Sequence, residues 1–527
     1  MSRSATTQES LFEAIEAGNL ELVRHLLENG ANINAENADG KTPIYVATSL
    51  GHHDILSFLI DEGADVNKNA LYNIPINNAA SRGDVNAVRL LIDAGAVPKD
   101  AIQYAAEGGH LDIVKLLLEH GAAIPRSALE YSCKNGHLDV AKFLLENRST
   151  ISPRALIYAC ENGNLGIVKL LVENGADVNS FYNTTNSRGY VNGRLYPLEQ
   201  ACRNGNLEVV KFLVNNGANI EGDELYNPVN VSIRYEHSDV AVYLIERGAK
   251  IDDSGSSTLD AAISHKLPEV VRSLLFTRHV KIGEHKLQSA IKVGDIEIVN
   301  LLFSKGAKLK EGDAVEAASQ GNLELFKLLL RWGAKIDERN DKGDQAIHAA
   351  ADRGKLEMLE FLLDSGANVN SKNSDHKADT PIHRACAYLH LDILRLLLSK
   401  GANLNVKNSS GDLPIHLALH KSDYVFEYRN LTDYTNRENR FEVVKLLIEN
   451  GSKLEVKNMK GRTPIFHAVS QKDPALVKLL LDKGVRVNVK DNEGKTPLDI
   501  LLSRMTYASA AELVVIEEIK SLLEAAI

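Results

Sequence analysis

Apolar side chains recur along most of this chain at spacings of three and four residues. The segment from Leu111 shows the pattern, because Val114, Leu117 and Leu118 are apolar and charged residues lie between and beyond them. This spacing predicts an amphipathic helix with one buried face. A glycine such as Gly121 follows the last apolar position, and it predicts a left-handed C-cap that ends the helix.

The whole helical phrase is itself repeated. It has the form G-N/H-L-x-h-V-x-x-L-L-x-x-G-A, where h is apolar. The copies read GNLELVRHLLENGA from Gly18, GHLDIVKLLLEHGA from Gly109, GNLGIVKLLVENGA from Gly163, GNLEVVKFLVNNGA from Gly205 and GNLELFKLLLRWGA from Gly321. The recurrence of one helical phrase along the chain indicates stacked helical repeats that share one continuous core.

A second phrase precedes several copies of the first. It reads DGKTPIYVA from Asp39, ADTPIHRAC from Ala378, GDLPIHLAL from Gly411, GRTPIFHAV from Gly461 and GKTPLDIL from Gly494. Its threonine can N-cap a helix, and the proline after it fits the first helical position. The two phrases together resemble the ankyrin repeat. The resemblance implies an all-α solenoid of helix-turn-helix repeats, with β-hairpins between the full-length units.

The resemblance covers nearly the entire chain, as about sixteen units. We therefore expect one array over residues 1–527. Its capping repeats are 1–37 at the N-terminus and 495–527 at the C-terminus. Between them lie repeats at 38–180, 197–419 and 441–494, separated by insertions at 181–196 and 420–440. Both terminal repeats are expected to act as caps, because a terminal repeat has no neighbour on one side.

The length of the units varies. From Gly95 to Gly175, and again from Gly248 to Gly333, the units are only about 27 residues long, against about 33 for a full unit. In these stretches Pro125 and Pro153 follow closely on the preceding helix. We predict that the β-hairpins are clipped there to tight turns.

Both insertions are rich in Tyr and Asn. They are either decorative surface loops, which repeat proteins tolerate, or elements that contact a partner through amphipathic tyrosines. On the second interpretation, Tyr424 and Tyr428 are candidate partner-binding residues.

Charge and composition limit the class of partner. The chain has 60 basic and 70 acidic residues, mixed along its length, with a net charge of −10. This balance argues against nucleic acid as a partner. No apolar run approaches the roughly 18 residues that would span a bilayer, so membrane insertion is not expected. The polar N-terminus lacks a secretory apolar region, which predicts a cytoplasmic protein.

The cysteines and histidines that could serve in catalysis or metal binding occupy recurring positions of the repeat. Cys133, Cys160, Cys202 and Cys386 share one position of the first helix, and His348, His383 and His416 share another. Repetition favours a structural role, since a metal needs ligands that converge on one point. The sequence also lacks the common metalloprotease, phosphate-loop and nucleophile motifs. We predict no enzymatic activity, no cofactor and no metal site.

In the ankyrin family, hairpins and first helices line a concave groove, and the resemblance implies that the two residues before each helix-linking glycine face it. Basic and aromatic residues are frequent in this row. The candidate partner-binding residues there are Arg82, Lys134, Arg203, Arg234, Tyr235, Arg353 and Tyr388. A groove of this kind favours an acidic or extended protein segment.

These features predict a monomeric protein-interaction scaffold or adaptor. Long arrays of this type resemble those with which intracellular bacteria and large DNA viruses engage host proteins, and such an origin would place the chain in the host cytosol. Two alternatives stay open. The chain is the targeting array of a larger enzyme or channel, or it is a passive structural spacer.

Overall fold

The structure is a computed structural model that describes residues 3–68, 74–185, 191–222, 226–251, 256–283, 285–374, 377–420, 433–503 and 509–527. The chain divides into two compact units, Met1–Val280 and Lys281–Ile527. Each unit is built from helix pairs, and we call the two members of a pair its first and second helix. None of the helices in the described ranges combines the length and the apolar run needed to cross a bilayer.

The first unit contains nine helix pairs within its described residues. The first helices are α1 (Arg3–Glu16), α3 (Pro43–Leu50), α5 (Pro75–Arg82), α7 (Ala101–Gly108), α9 (Arg126–Asn135), α11 (Pro153–Asn162), α13 (Pro197–Arg203), α15 (Pro228–Arg234) and α17 (Ser256–Ser264). The second helices are α2 (Leu20–Glu28), α4 (His53–Asp61), α6 (Val85–Asp93), α8 (Leu111–Glu119), α10 (Leu138–Glu146), α12 (Leu165–Glu173), α14 (Leu207–Asn215), α16 (Ser238–Glu246) and α18 (Pro268–Phe276).

The second unit continues the same alternation. Its first helices are α19 (Lys286–Val293), α21 (Asp313–Gln320), α23 (Ala346–Asp352), α25 (Pro381–Ala387), α27 (Pro414–Leu419), α29 (Pro464–Ser470) and α31 (Pro497–Leu502). Its second helices are α20 (Ile296–Ser304), α22 (Leu323–Arg331), α24 (Leu356–Asp364), α26 (Leu391–Ser399), α28 (Asp433–Glu449), α30 (Pro474–Leu481) and α32 (Ala510–Ala525). This mostly helical, repeating arrangement confirms the predicted fold class.

The helices begin and end where the sequence signals lie. Thr42 is the N-cap of α3, its Oγ1 accepts the backbone N–H of Tyr45 at 3.4 Å, and Pro43 is the first helical residue. After α8, Gly121 has a φ of +81° and its N–H donates to the carbonyl of Leu118 at 3.0 Å. These are the capping interactions that the two repeated phrases predict.

Small residues let neighbouring first helices pack closely. Ala105 and Ala106 of α7 are fully buried, and the cysteines occupy the second of these two positions in other repeats. Cys133, Cys160, Cys202 and Cys386 are all fully buried free thiols. Burial raises the pKa of the Cys133 and Cys202 thiols to about 12. The four cysteines are therefore core residues, the structural role that their shared repeat position predicts. Burial also leaves their thiols with little thiolate character.

The connections between repeats, which we call fingers, are of two lengths. In full-length units a tight turn closes the finger, as where the N–H of Asn408 donates to the carbonyl of Asp412 at 3.0 Å. Adjacent fingers also join, since the N–H of Met459 donates to the carbonyl of Ser410 at 3.0 Å. Apart from the insertion after Phe181, the described fingers contain no strand pair, so the expected β-hairpins take the form of turn-tipped loops. From Glu119 to Arg126 and from Glu146 to Pro153 the finger is clipped, as predicted.

The two predicted insertions differ in structure. The first forms the strand pair of the described residues, in which β1 (Tyr182–Thr185) pairs antiparallel with β2 (Val191–Leu195). The second is only partly described, and its residues from Asp433 onward belong to α28. Tyr424 and Tyr428 lie outside the described residues.

Candidate partner-binding surface

The predicted row lies at the C-terminal ends of the first helices. In the first unit Arg82, Lys134, Arg234 and Tyr235 are exposed, and Arg203 is half-buried. Exposure comes from the repeat geometry, because these positions follow the last buried residue of each first helix. The row is therefore available to solvent over several successive repeats of this unit.

Some members of the row also join neighbouring repeats. The Asn135 side chain donates to the carbonyl of Glu107 at 2.7 Å, and the Asn162 side chain donates to the carbonyl of Lys134 at 3.0 Å. Arg82 donates through Nη1 to the carbonyl of Ser49 in the same way. These bonds connect each repeat to the one before it, so part of the row is structural. The side chains of Lys134, Arg234 and Tyr235 are exposed and take no part in these bonds between repeats.

Arg203 occupies a partly enclosed site between two repeats. Its Nη2 lies 3.0 Å from Glu199 Oε1, and its guanidinium carbon lies 5.3 Å from the centroid of the Tyr235 ring. Tyr235 as a whole residue is 43% exposed. Arg203 of one repeat thus packs against Tyr235 of the next, which stays partly open to solvent.

A second cluster joins α9, α11 and the inserted hairpin. Arg154 lies at its centre, with its guanidinium carbon 5.2 Å from the Tyr158 ring and 4.7 Å from the Tyr182 ring. Arg154 Nη2 also donates to the Tyr158 hydroxyl at 2.5 Å. Lys134 Nζ lies 5.5 Å from the Tyr158 ring centroid. The predicted residue Lys134 is therefore part of a larger cation–aromatic group.

The hairpin extends this group with further aromatic rings. Arg194 of β2 lies 4.7 Å from the Phe181 ring, and Phe181 lies 5.8 Å from the Tyr196 ring. Tyr196 in turn stacks on Tyr226 at 4.8 Å. Phe181 and Tyr182 are 42% and 39% exposed. Large aromatic side chains exposed beside arginines are the residue types enriched at protein interfaces.

The predicted residues of the second unit have different surroundings. Arg353 is exposed, and Tyr388 is half-buried against His390, with ring centroids 6.2 Å apart. Asp352, beside Arg353 in the predicted row, lies 3.6 Å from Arg384 Nη1. Burial raises the pKa of the Asp352 carboxyl. Asp352 therefore belongs to an internal ion-pair network rather than to an open groove.

The repeated histidines make structural hydrogen bonds. The Nδ1 atom of His383 accepts the backbone N–H of Thr380 at 3.2 Å, and its Nε2 donates to the carbonyl of Asp412 at 3.1 Å. Within the part of the chain that the structure describes, no three His, Cys, Asp or Glu side chains are grouped so that they could hold a metal ion.

Comparison with known proteins agrees with the architecture. The sequence model of the family "Ankyrin repeats (3 copies)" matches residues 3–70, 76–154, 125–182, 149–223, 198–285, 314–426 and 434–521. The matches cover both units and most of the chain.

Individual relatives match over shorter stretches. An ankyrin repeat protein of fowlpox virus is 33% identical over 117 residues, which is 21% of this chain and 27% of the relative. Ankyrin repeat, SAM and basic leucine zipper domain-containing protein 1 of Mus musculus is 32% identical over 119 residues, with coverage of 20% and 25%. Ankyrin repeat and SOCS box protein 14 of Homo sapiens is 30% identical over 163 residues, with coverage of 21% and 27%.

The chain thus spans about a quarter of the length of each of these relatives. The likeness lies in the repeats themselves, which recur in proteins with different additional domains. Because the family match, the paired helices and the capping signals agree along most of the sequence, this chain belongs to the ankyrin repeat family.

Proposed function

We propose that this protein is an interaction scaffold that binds an acidic or extended segment of a partner protein on its first unit. Ankyrin repeats are in general protein–protein interaction modules. The binding surface consists of the exposed ends of the first helices together with the inserted hairpin, and its central residues are Lys134, Arg154, Tyr182, Arg234 and Tyr235.

One observation carries this proposal, namely the cation–aromatic group around Arg154. The Tyr158 and Tyr182 rings lie 5.2 and 4.7 Å from the guanidinium carbon, and Lys134 lies over the Tyr158 ring as well. Aromatic and arginine side chains carry much of the binding energy at interfaces. Rings held in place by cations lose little conformational entropy when a partner binds.

The test is affinity capture from cytosol with the full chain, followed by calorimetry with the captured partner. The variant combines Lys134→Glu with Tyr182→Ala, and it leaves Arg154 in place because that residue also pairs with Glu130 of α9 at 3.7 Å. We expect the variant to bind the partner about tenfold more weakly or worse, since it removes an exposed ring and reverses a charge.

The matched control combines Arg89→Glu with Leu138→Ala on the second helices α6 and α10, where both side chains are exposed. It should bind like the wild type. Equal loss in both variants would show that charge and folding alone account for the effect. Unchanged binding in both would move the contact site away from α9 and the inserted hairpin.

A second candidate is supported by the relatives. Two of them carry SAM, basic leucine zipper or SOCS box regions besides their repeats, and the matches cover about a quarter of their length. On this proposal the array is the targeting part of a larger protein. The length of the native open reading frame distinguishes the two candidates.

A further inference from the structure

The fingers of the second unit carry a ladder of basic side chains. Arg339, Lys372, Lys407, Lys457 and Lys490 occupy the same position in five successive fingers. Each of the first four donates to the main-chain carbonyl of the next member of the series. The donor–acceptor distances are 3.0 Å from Arg339 to Lys372, 3.0 Å from Lys372 to Lys407, 2.9 Å from Lys407 to Lys457 and 2.8 Å from Lys457 to Lys490.

The ladder is open to solvent. Lys372, Lys407, Lys457 and Lys490 are all exposed, and Arg339 is half-buried. None of the four lysines forms an ion pair with another described residue. A lysine ammonium has three donors. A bond to one carbonyl fixes the position of the ammonium and leaves two donors for a ligand.

The surroundings of the last three fingers are also basic. Residues 402–413, 452–463 and 485–496 hold two exposed acidic side chains, Glu455 and Glu493. Glu455 pairs with Arg486 at 3.4 Å, and Glu493 pairs with Lys495 at 2.8 Å. Lys453 and Lys460 add further exposed positive charge in the middle finger. This surface is therefore positive although the net charge of the whole chain is −10.

The spacing of the ladder restricts the ligand. The charges recur once per repeat, and packed helices lie about 8 to 10 Å apart. A polyproline II segment has three residues per turn and rises about 3.1 Å per residue, so every third side chain lies on one face at intervals of about 9 Å. An acidic residue at every third position of such a segment would meet one ladder cation per repeat.

From this match we propose that the ladder formed by Lys372, Lys407, Lys457 and Lys490 binds an extended acidic protein segment with Asp or Glu at every third position. This inference goes beyond the surface of the first unit and does not depend on it. Nucleic acid fits less well, because its phosphates follow one another more closely than the repeats, and because the acidic chain as a whole repels a polyanion of high charge density.

The probe is a labelled peptide of five Glu-Pro-Pro repeats, and its binding to the full chain is measured by fluorescence anisotropy at low salt. A second peptide of the same composition has its glutamates grouped at one end. We expect the regularly spaced peptide to bind several-fold more tightly and to weaken as salt is added. Equal or tighter binding of the grouped peptide would overturn the assigned spacing, and no binding of either peptide would overturn the proposal.

Variants locate the site. The triple variant Lys407→Glu, Lys457→Glu and Lys490→Glu should bind the regular peptide about tenfold more weakly or worse. The control Arg395→Glu, Lys445→Glu and Lys478→Glu changes the net charge equally at exposed residues of second helices, away from the fingers, and it should keep most of the affinity. Equal losses of peptide affinity in the two variants would show that the net charge of the protein, rather than the ladder, determines binding.

The variant Lys407→Gln, Lys457→Gln and Lys490→Gln keeps a donor at each position and removes the charge. It should fold normally by circular dichroism and lose part of the affinity. Wild-type affinity in this variant would show that the lysines only connect neighbouring fingers and do not bind the peptide through their charge. A single-stranded oligothymidylate of about the same length that displaces the peptide and binds more tightly would replace the acidic segment with nucleic acid and overturn the proposal.

Discussion

Backbone conformation at the helix-linking position is set by a single residue in each repeat. Gly51 has a φ of +78° there, a conformation that glycine adopts without strain. The same conformation is forced on other residues where the repeat lacks glycine, with φ values of +64° at Glu236, +55° at Lys266 and +57° at Leu389. Leu389 is 9% exposed and gains packing in return. The side chain of Lys266 is exposed, so its strain has less to offset it.

Replacing Lys266 with glycine should therefore stabilise the chain. A left-handed conformation destabilises the folded state by about 1–2 kcal/mol for a residue with a side chain. Glycine relieves this strain, but its greater freedom stabilises the unfolded chain by up to about 1 kcal/mol and so offsets part of the gain. We expect Lys266→Gly to raise the free energy of unfolding by about 0.5–1 kcal/mol, as measured by urea denaturation. The reverse change, Gly51→Lys, should lower it by a similar amount. A lower midpoint for Lys266→Gly would contradict the assignment of strain.

At the scale of elements, one arginine connects two fingers and two first helices of the second unit. Arg384 of α25 lies 3.3 Å from Asp344 in the finger before α23, 3.6 Å from Asp352 at the end of α23, and 3.5 Å from Asp379 in its own finger. The arginine side chain is 16% exposed. Its positive charge compensates the three carboxylates, which would otherwise repel one another at this partly buried site.

Removal of this charge should be costly. We expect Arg384→Met to destabilise the second unit by about 3 kcal/mol or more, because it removes the positive charge that three partly buried carboxylates share. Adding Asp352→Asn to that variant should recover part of the loss. Arg395→Met, at an exposed position of α26 outside this network, serves as the control in the same denaturation experiment. A small effect of Arg384→Met, with no recovery on adding Asp352→Asn, would show that the three carboxylates do not depend on Arg384.

Elements were more predictable than side-chain contacts. Helix starts at Thr-Pro and helix ends at glycine follow from local backbone chemistry, so Thr42 and Gly121 could be assigned from the sequence. The clipped fingers followed from spacing alone. By contrast, the contact of Arg154 with Tyr182 joins a first helix to the inserted hairpin, and no local pattern encodes it. The shared position of Tyr104, Tyr131 and Tyr158 in three short units was the available signal for that cluster.

At the scale of the whole molecule, the two units differ in how acid should affect them. The second unit contains a series of histidines in successive first helices, of which His348, His383 and His416 are buried and His467 is half-buried. Burial lowers the pKa of each of these imidazoles, and that of His467 falls to about 3. In the first three, Nδ1 accepts a backbone N–H and Nε2 donates to a carbonyl of a following repeat. Only the neutral imidazole can make both bonds.

The direction of the pH dependence follows from the pH at which the histidines of the folded and unfolded states are protonated. The unfolded histidines bind protons near pH 6.5, whereas native His467 binds one only near pH 3. The unfolded state therefore holds more protons between these values, and stability must fall as the pH is lowered through that range. Above about pH 6.5 both states are neutral and this contribution is fully present. Acid should thus weaken the second unit through its histidines before most carboxylates titrate.

Trp332 allows this difference to be measured, because it is the single tryptophan of the chain and lies in the second unit, stacked on Phe303 at 4.5 Å. We expect its fluorescence transition in urea to shift to lower concentration between pH 7 and pH 5, and to shift further than the circular dichroism transition, which reports both units. His467→Leu should reduce the shift, since Leu417 fills the matching position in the preceding first helix. His25→Leu, at an exposed residue of the first unit, should leave it unchanged. If both transitions move together in the wild type, or if His467→Leu shifts as far as the wild type does, the buried histidines do not control the response of the second unit to acid.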